Sequence, residues 1–330
     1  MHDAVADRHP SGLDATVIER AVDRIGDIAV ADAPLAPLTT YKVGGSAAVF
    51  AEVTSVDDLL RVGRVAREFE LPLLPIGRGS NLLVADAGFP GIALVTTFDD
   101  IEIDAATSSV RSGSAVPLPV LARRTAQAGL TGFEWAVGVP GSIGGAVRMN
   151  AGGHGSDMAA SLVDVDLLDL DDADDPLHLL TVPADGLGLR FRGSDLRQHV
   201  VVVSARLQLA PADAASLEKS PEDEIKEIVR WRLDNQPGGQ NAGSVFVNPV
   251  PGEVSAGELV DRAGQRGRRH GTAEVSEKHA NFIQADPGGS ADDVYELMRL
   301  VRAEVLAATG YALRSEIRIV GFPDGWGDPT

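Results

Sequence analysis

Two glycine-rich stretches hold the residues best placed to do chemistry. The first is Gly77-Arg78-Gly79-Ser80-Asn81-Leu82, and the second is Gly138-Val139-Pro140-Gly141-Ser142-Ile143-Gly144-Gly145-Ala146, running on through Asn150 to Gly152. Glycine permits positive φ and close backbone approach, but it costs conformational entropy. Glycines this dense therefore mark loops whose bare backbone is the working part. Two such loops, about sixty residues apart, can grip the two halves of a long anionic ligand. A dinucleotide such as FAD suits them, because unpaired N–H groups cradle a pyrophosphate. Leu82 stands where a dinucleotide fingerprint needs its third glycine, so a Rossmann reading is weak, and no P-loop or His-Glu-x-x-His pattern occurs. Taken alone, the first loop reads equally well as a tight β-turn.

Other polar groups have bland readings beside their chemical ones. Arg192 follows an aromatic, Ser244 lies between Gly243 and an apolar run, and Glu316 opens a β run. Pattern alone makes them a surface arginine, a turn serine and an exposed strand glutamate. Asp164, Asp166, Asp169, Asp171, Asp172, Asp174 and Asp175 lack the glycine and terminal glutamate of a calcium loop. They read as a solvated acidic hairpin, and no metal site is expected. Arg262, Arg266, Arg268, Arg269 and His270 form a basic island. It serves either surface charge balance or, for some members, a phosphate contact.

The chain that must position these groups has 330 residues, enough for two or three domains. It has no cysteine, which excludes disulfides, thiolate metal sites and a cysteine nucleophile, and suits a reducing cytoplasm. The formal charge of −19 argues against nucleic-acid binding, which needs a surplus of lysine and arginine. An anionic ligand would have to be held by backbone amides and a few placed arginines against the overall field. The acidic N-terminus, Met1–Asp7, has no apolar run of a signal peptide, and no stretch is long enough to span a membrane.

Patterning predicts a loose extension over 1–35 with one amphipathic helix near Ala15–Ile28. A helix over Ser55–Glu70 opens with a Ser55/Asp58 capping box. Short strands fall at Ala48–Val53, Leu73–Ile76 and Ile92–Thr96, and a hairpin at Ile101–Ile103 and Ser109–Ser112. A helix over Pro117–Gly129 and strands over Leu162–Leu168 and His199–Leu209 follow, then a linker at Pro211–Ser220. Helices over Pro221–Asn235, Ala256–Ala263 and Ser290–Thr309 and a last strand over Glu316–Gly321 complete an α+β C-terminal part.

From Thr39 to Gly321 the chain resembles the UDP-N-acetylenolpyruvoylglucosamine reductases. Six ordered motifs carry the likeness: Thr40–Gly45, Gly77–Leu83, Gly138–Gly145 with Met149–Gly152, Ala242–Pro249, Ala273–Phe282 and Glu316–Gly321. The resemblance implies an α+β fold, with a two-lobed FAD-binding domain of vanillyl-alcohol-oxidase type over 36–210 and a substrate-binding domain over 211–330. It implies that NADPH reduces FAD, and that hydride from flavin N5 and a proton from Ser244 reduce the enolpyruvyl ether of a UDP-sugar. That reaction makes a peptidoglycan precursor in the cytoplasm and needs no partner protein.

By the same resemblance Arg192, Ser244 and Glu316 are the catalytic trio. The two glycine loops, from Gly77 to Leu82 and from Gly138 to Ala146 with Asn150 and Gly152, hold FAD without a covalent bond. Asn248, Lys278 and His279 contact substrate. Phe191 stands where the family usually has tyrosine, and Val247 where lysine is common. No large extra loop separates Arg192 from Ser244, which implies the shorter subtype. Two rivals stay open: a flavin oxidase acting on a sugar, which would consume oxygen, and a colourless nucleotide-sugar binding protein.

Overall fold

The computed structural model describes residues 9–10, 12–172, 179–213 and 218–322. The acidic start at 1–8, Asp174 and Asp175, and the middle of the expected linker (214–217) lie outside them.

The first lobe contains α1 (Ala15–Ile25), β1 (Ala29–Pro34), β2 (Ser46–Val53), α2 (Val56–Glu68), β3 (Leu73–Ile76), β4 (Leu82–Val84) and β5 (Phe89–Thr96). Its sheet has the order β1-β2-β5-β3, antiparallel at β1 and parallel elsewhere. Sequence reading treats 1–35 as loose, and here the structure corrects it. Ile18, Ala21 and Ile25 of α1 are buried with Leu59, Val62 and Val65 of α2, and β1 forms the sheet's edge. An amphipathic helix gains its stability by burying its apolar stripe, so α1 belongs to the lobe. The capping box of α2 is present in both directions, between Ser55 and Asp58.

The second lobe is built on β6 (Ile101–Asp104), β7 (Ser109–Gly113), α3 (Leu118–Gln127), β8 (Leu130–Thr131) and α4 (Ile143–Met149). It continues through β9 (Gly152–Gly153), β10 (Ser156–Asp157), β11 (Leu162–Asp169), β12 (Leu179–Pro183), β13 (Val200–Gln208) and β14 (Ala210–Pro211). Its antiparallel sheet runs β12-β11-β13-β7-β6. The acidic run is less solvated than its pattern suggests. Asp166 is buried, paired with Arg111 and bonded by Ser204 and Thr181, and Asp164 pairs with Arg206. Cross-strand partners on one sheet face neutralise these carboxylates.

Helix α5 (Pro221–Asn235) closes this lobe, since Ile225 and Ile228 are buried in the same core as Leu121, Phe133 and Trp135. Packing thus places it with the second lobe, not with the C-terminal unit that sequence reading starts at 211. That unit has its own core over α6 (Ala256–Arg262), β15 (Arg269–His270), β16 (Ala273–Val275), β17 (Ile283–Ala285) and α7 (Ala291–Thr309). Its last strand, β18 (Arg318–Val320), leaves it to pair in parallel with β4 of the first lobe. Asp86, just after β4, accepts from Ser290 Oγ at 2.5 Å and from the Ala291 N–H at 3.0 Å, capping α7 across the junction. The glycine loop before β4 is thereby tied to the segment that holds Glu316.

Candidate active site

A cleft with about 1350 Å³ of empty space, partly open to solvent, lies where the three units meet. Part of that space is open solvent, so the cleft is a groove along the junction and not a closed cavity. Both glycine loops line it, together with the 241–244 segment, Arg192 and Glu316.

The first loop offers a run of backbone donors. Among the described residues, the N–H groups of Gly77, Arg78, Gly79, Ser80 and Asn81 donate to no protein acceptor. Such consecutive free donors suit an anion. Gly79 has φ +56°, and a β-carbon there would lie 2.0 Å from the Leu38 carbonyl oxygen. Its glycine is demanded by neighbouring backbone, not by a ligand.

The loops meet at Gly77, where a β-carbon would lie 2.4 Å from Ser142 Oγ. Ser142 is 2% exposed, and its hydroxyl has no partner among the described residues. It is an orphaned donor at the cleft wall, where an unmade hydrogen bond is costly. Gly141 and Gly145 have only ordinary spacing around a would-be β-carbon, and with Val139, Pro140 and Ala146 they line the cleft.

Three residues of the second motif do other work. Gly138 packs on Ile228 and Arg232 of α5, while Gly144 packs on Ser114 and donates its N–H to the Ser114 carbonyl. Asn150 is 4% exposed and ties the chain together, accepting from the Ala159 N–H and donating to Asp157 and the Arg190 carbonyl. Gly152 lines the cleft but also presses on Asp157 in the β9–β10 turn.

These spacings predict two different outcomes. Gly79→Ala should destabilise the fold by about 1–3 kcal/mol or more, from positive φ and collision with backbone. Gly141→Ala should leave thermal stability within about 0.5 kcal/mol of wild type, as for changes away from core features. Thermal unfolding of the two flavin-free variants checks this, and equal losses would contradict it.

Arg192, Ser244 and Glu316 come from distant parts of the chain and converge on Glu316. The Glu316 N–H donates to the carbonyl of Val245, next to Ser244, at 2.8 Å. The Glu316 carbonyl accepts from Asn81 Nδ2 at 2.9 Å. Its carboxylate lies 2.8 Å from Arg192 Nε, an ion pair whose N–H is not aligned on the oxygen as a hydrogen bond. Arg192 occupies the left-handed region at φ +59° in a tight turn closed by Arg190 and Gly193. Strain of this kind persists only where surroundings enforce it. Ser194 Oγ donates to the Arg148 carbonyl and Arg148 donates back to Leu196 and Arg197, which supplies that enforcement.

The cleft is cationic within an acidic chain. Among the described residues, Arg78, Arg148, Arg192, Arg232 and Arg318 line it against one carboxylate, that of Glu316. Burial lowers the Arg148 guanidinium to about 10, helped by Arg318, and burial also lowers Arg232. Burial pushes the Glu316 carboxyl up to about 6, against the downward pull of Arg192.

Asn248, Lys278 and His279 do not line the cleft. Asn248 accepts the N–H of Ala256 at the start of α6, and Lys278 Nζ donates to the Leu233 carbonyl at 2.5 Å. His279 packs on Phe282, and burial, then Arg266, holds its imidazole below the ordinary range. Val247 is buried, whereas Phe191 is 47% exposed beside the Arg192 guanidinium. In the basic island, Arg266 pairs with Asp261, Arg268 lies near Glu304, and Arg269 pairs with Glu274 and Asp286, all off the cleft wall.

Sequence reading missed Arg148, Arg232, Gln236, Asn241, Phe282 and Arg318, all of which line the cleft. Arg318 had a signal, standing two residues beyond Glu316 at strand period. So did Arg148, the only charge between Gly138 and Gly152. Arg232, Gln236 and Asn241 had none.

Comparison with known proteins agrees with this geometry. Residues 47–173 match a family described as an FAD binding domain. Residues 235–320 match the C-terminal domain of UDP-N-acetylenolpyruvoylglucosamine reductase. The reductase of that name from Synechococcus sp. (strain WH7803) is 43% identical over 88% of this chain and 92% of its own length. That of Heliobacterium modesticaldum is 40% identical over 88% of this chain and 90% of its own. The crystal structure of the Thermus caldophilus enzyme superposes with a TM-score of 0.73 at 33% identity, covering 88% of this chain and 98% of the other. The α+β fold, an FAD-binding domain followed by the reductase C-terminal domain, is the one the resemblance implied. The chain belongs to the UDP-N-acetylenolpyruvoylglucosamine reductase family.

Proposed function

We propose that this chain binds FAD non-covalently and uses NADPH to reduce the enolpyruvyl ether of UDP-N-acetylglucosamine enolpyruvate to UDP-N-acetylmuramate. One observation carries the reading: the run of free N–H donors at Gly77–Asn81 and the Arg192–Glu316 pair share one cleft. The orphaned Ser142 hydroxyl beside the cleft-lining glycines Gly141 and Gly145 fits the pyrophosphate of FAD. Among the described residues no histidine lines the cleft, and the chain has no cysteine, which supports non-covalent attachment. When bound, the flavin supplies hydride chemistry, renewed by NADPH.

The protein's share is charge and proton placement. The Arg192 fork and the protonated Glu316 hold the substrate carboxylate, where negative charge develops as the vinyl group is reduced. The Ser244 hydroxyl gives its proton to the carbon beside that carboxylate. A serine is a weak acid, so this works only against a strongly basic carbon in fixed geometry. Arg148, Arg232 and Arg318 offset the remaining anionic charge of the ligands. No helix among the described residues is long and apolar enough to cross a membrane. A cytoplasmic enzyme working without protein or nucleic-acid partners fits the acidic, cysteine-free chain.

The purified protein should be yellow and should oxidise NADPH only when the enolpyruvyl sugar is present. Denaturant should release all its flavin. A colourless protein, NADPH-independent oxygen consumption with a sugar, or flavin that stays with precipitated protein would each contradict part of the reading.

A further inference from the structure

Asn81 belongs to the loop that offers its N–H groups to the cleft, yet its side chain is committed elsewhere. Its Nδ2 donates to the Glu316 carbonyl at 2.9 Å, and its own carbonyl accepts the Arg318 N–H at 2.9 Å. These two bonds bracket residues 316–318 immediately before β4 and β18 begin their parallel pairing at Leu82 and Arg318. On the other side, the Glu316 N–H is held by the Val245 carbonyl. The Glu316 peptide is therefore clamped from the first lobe through Asn81 and from the C-terminal domain through the Ser244 segment. The Glu316 carboxylate has no aligned hydrogen bond to Arg192, so its direction depends on how this peptide is held.

We propose that Asn81 is a positioning residue for Glu316: its side-chain amide fixes the peptide that aims the carboxylate at Arg192, joining the cofactor loop to the acid. The proposal rests on the reading of Glu316 as a protonated donor. It reassigns the Asn81 side chain from cofactor contact to tether. The charged groups sharing the cleft with Glu316 are Arg192, the nearest, and Arg78, Arg148, Arg232 and Arg318. All are cations, so the titration of Glu316 reflects its depth of burial and its distance from them. A peptide released on one side lets the carboxyl move toward water; burial is the larger influence on Glu316, ahead of the downward pull of Arg192, so relieving it lowers the pKa from about 6.

The test compares Asn81→Ala, Glu316→Gln and wild type. Flavin content per chain is measured, then the pH dependence of flavin reoxidation by the enolpyruvyl sugar, and the rate of flavin reduction by NADPH. Rates are taken per bound flavin, so that any loss of cofactor in Asn81→Ala is separated from its reoxidation rate. Reoxidation should slow by at least about 10-fold, less than for loss of a general acid itself. The descending limb near pH 6 should move to lower pH, and Glu316→Gln should abolish that limb. Carbon-13 NMR titration of glutamate carboxyls in flavin-free protein gives an independent reading, since one resonance assigned by Glu316→Gln should shift in Asn81→Ala. Flavin loss with an unmoved Glu316 titration would make Asn81 a cofactor contact and overturn the proposal. An unmoved titration with flavin retained would overturn it too. A limb that persists in Glu316→Gln would remove the acid role itself, and the positioning role with it.

Discussion

Ser244→Ala should reduce its flavin with NADPH at close to the wild-type rate, yet reoxidise it with the enolpyruvyl sugar more slowly by over ~10²–10⁴-fold, the usual cost of losing a general acid. The two half-reactions differ in what they ask of the protein. Flavin reduction needs no acid at carbon, whereas vinyl reduction must deliver one proton to one carbon. On the proposed reading Ser244 is that donor. It follows Gly243 at φ +76°, is half-buried in the cleft wall, and is bridged to Phe282, with Val245 next to it bonded to Glu316. That backbone hold supplies the fixed geometry a weak acid requires. Ser244→Cys keeps a stronger acid on a bulkier atom and should recover part of the rate. Stopped-flow absorbance resolves both phases. A Ser244→Ala protein that reoxidises at the wild-type rate would reduce Ser244 to a turn residue.

Removing Arg192 should act on both rate and pH dependence. Arg192→Ala takes away the fork that opposes charge on the substrate carboxylate, a loss of ~10²–10³-fold by analogy with oxyanion donors. It also leaves Glu316 without its ion-pair partner. That partner lowers a carboxyl which burial has raised to about 6, so its loss must move the Glu316 pKa further up. If protonated Glu316 is the working form, as proposed, reoxidation declines as pH rises through this value. In Arg192→Ala the decline should begin at higher pH, on a much lower plateau. Arg192→Lys should hold the pH profile near wild type while recovering little of the rate, because an ammonium cannot reproduce the planar fork. The pH profile of reoxidation is the measurement. An unchanged profile in Arg192→Ala would mean that the pair seen in the structure does not govern Glu316.

Local pattern carried far in this chain. The Ser55/Asp58 box, the Gly310 stop after α7 and the β runs beside the first glycine loop were all legible, because caps, φ demands and side-chain period act within a few residues. Residues 29–34 were not. Ala29-Val30-Ala31-Asp32-Ala33-Pro34 has weak strand character, and it becomes a strand only because β2 offers a free edge. Helix α5 was found as a helix but given to the wrong unit, since periodicity shows that a stripe must be buried and not against what.

The site divides along the same line. By itself the sequence determined that two loops must follow an unusual backbone path, that no thiol chemistry is available, and which family motifs the chain carries. It also supplied Arg192, Ser244 and Glu316 by resemblance, though each had a bland reading on its own. Only the tertiary structure decided that these three converge. Glu316 meets Asn81 across 235 positions, through a parallel pairing of β4 with β18 that no local signal encodes. Tertiary packing also sorted the glycines. Gly79 and Gly144 are needed by protein neighbours, while a β-carbon at Gly141 or Gly145 would make only ordinary contacts at the cleft wall. A glycine's φ and spacing are local properties, but what a β-carbon would strike is set by chain that arrives from elsewhere. For the same reason five arginines face the cleft of an acidic protein, a concentration of charge that composition averages away and folding creates.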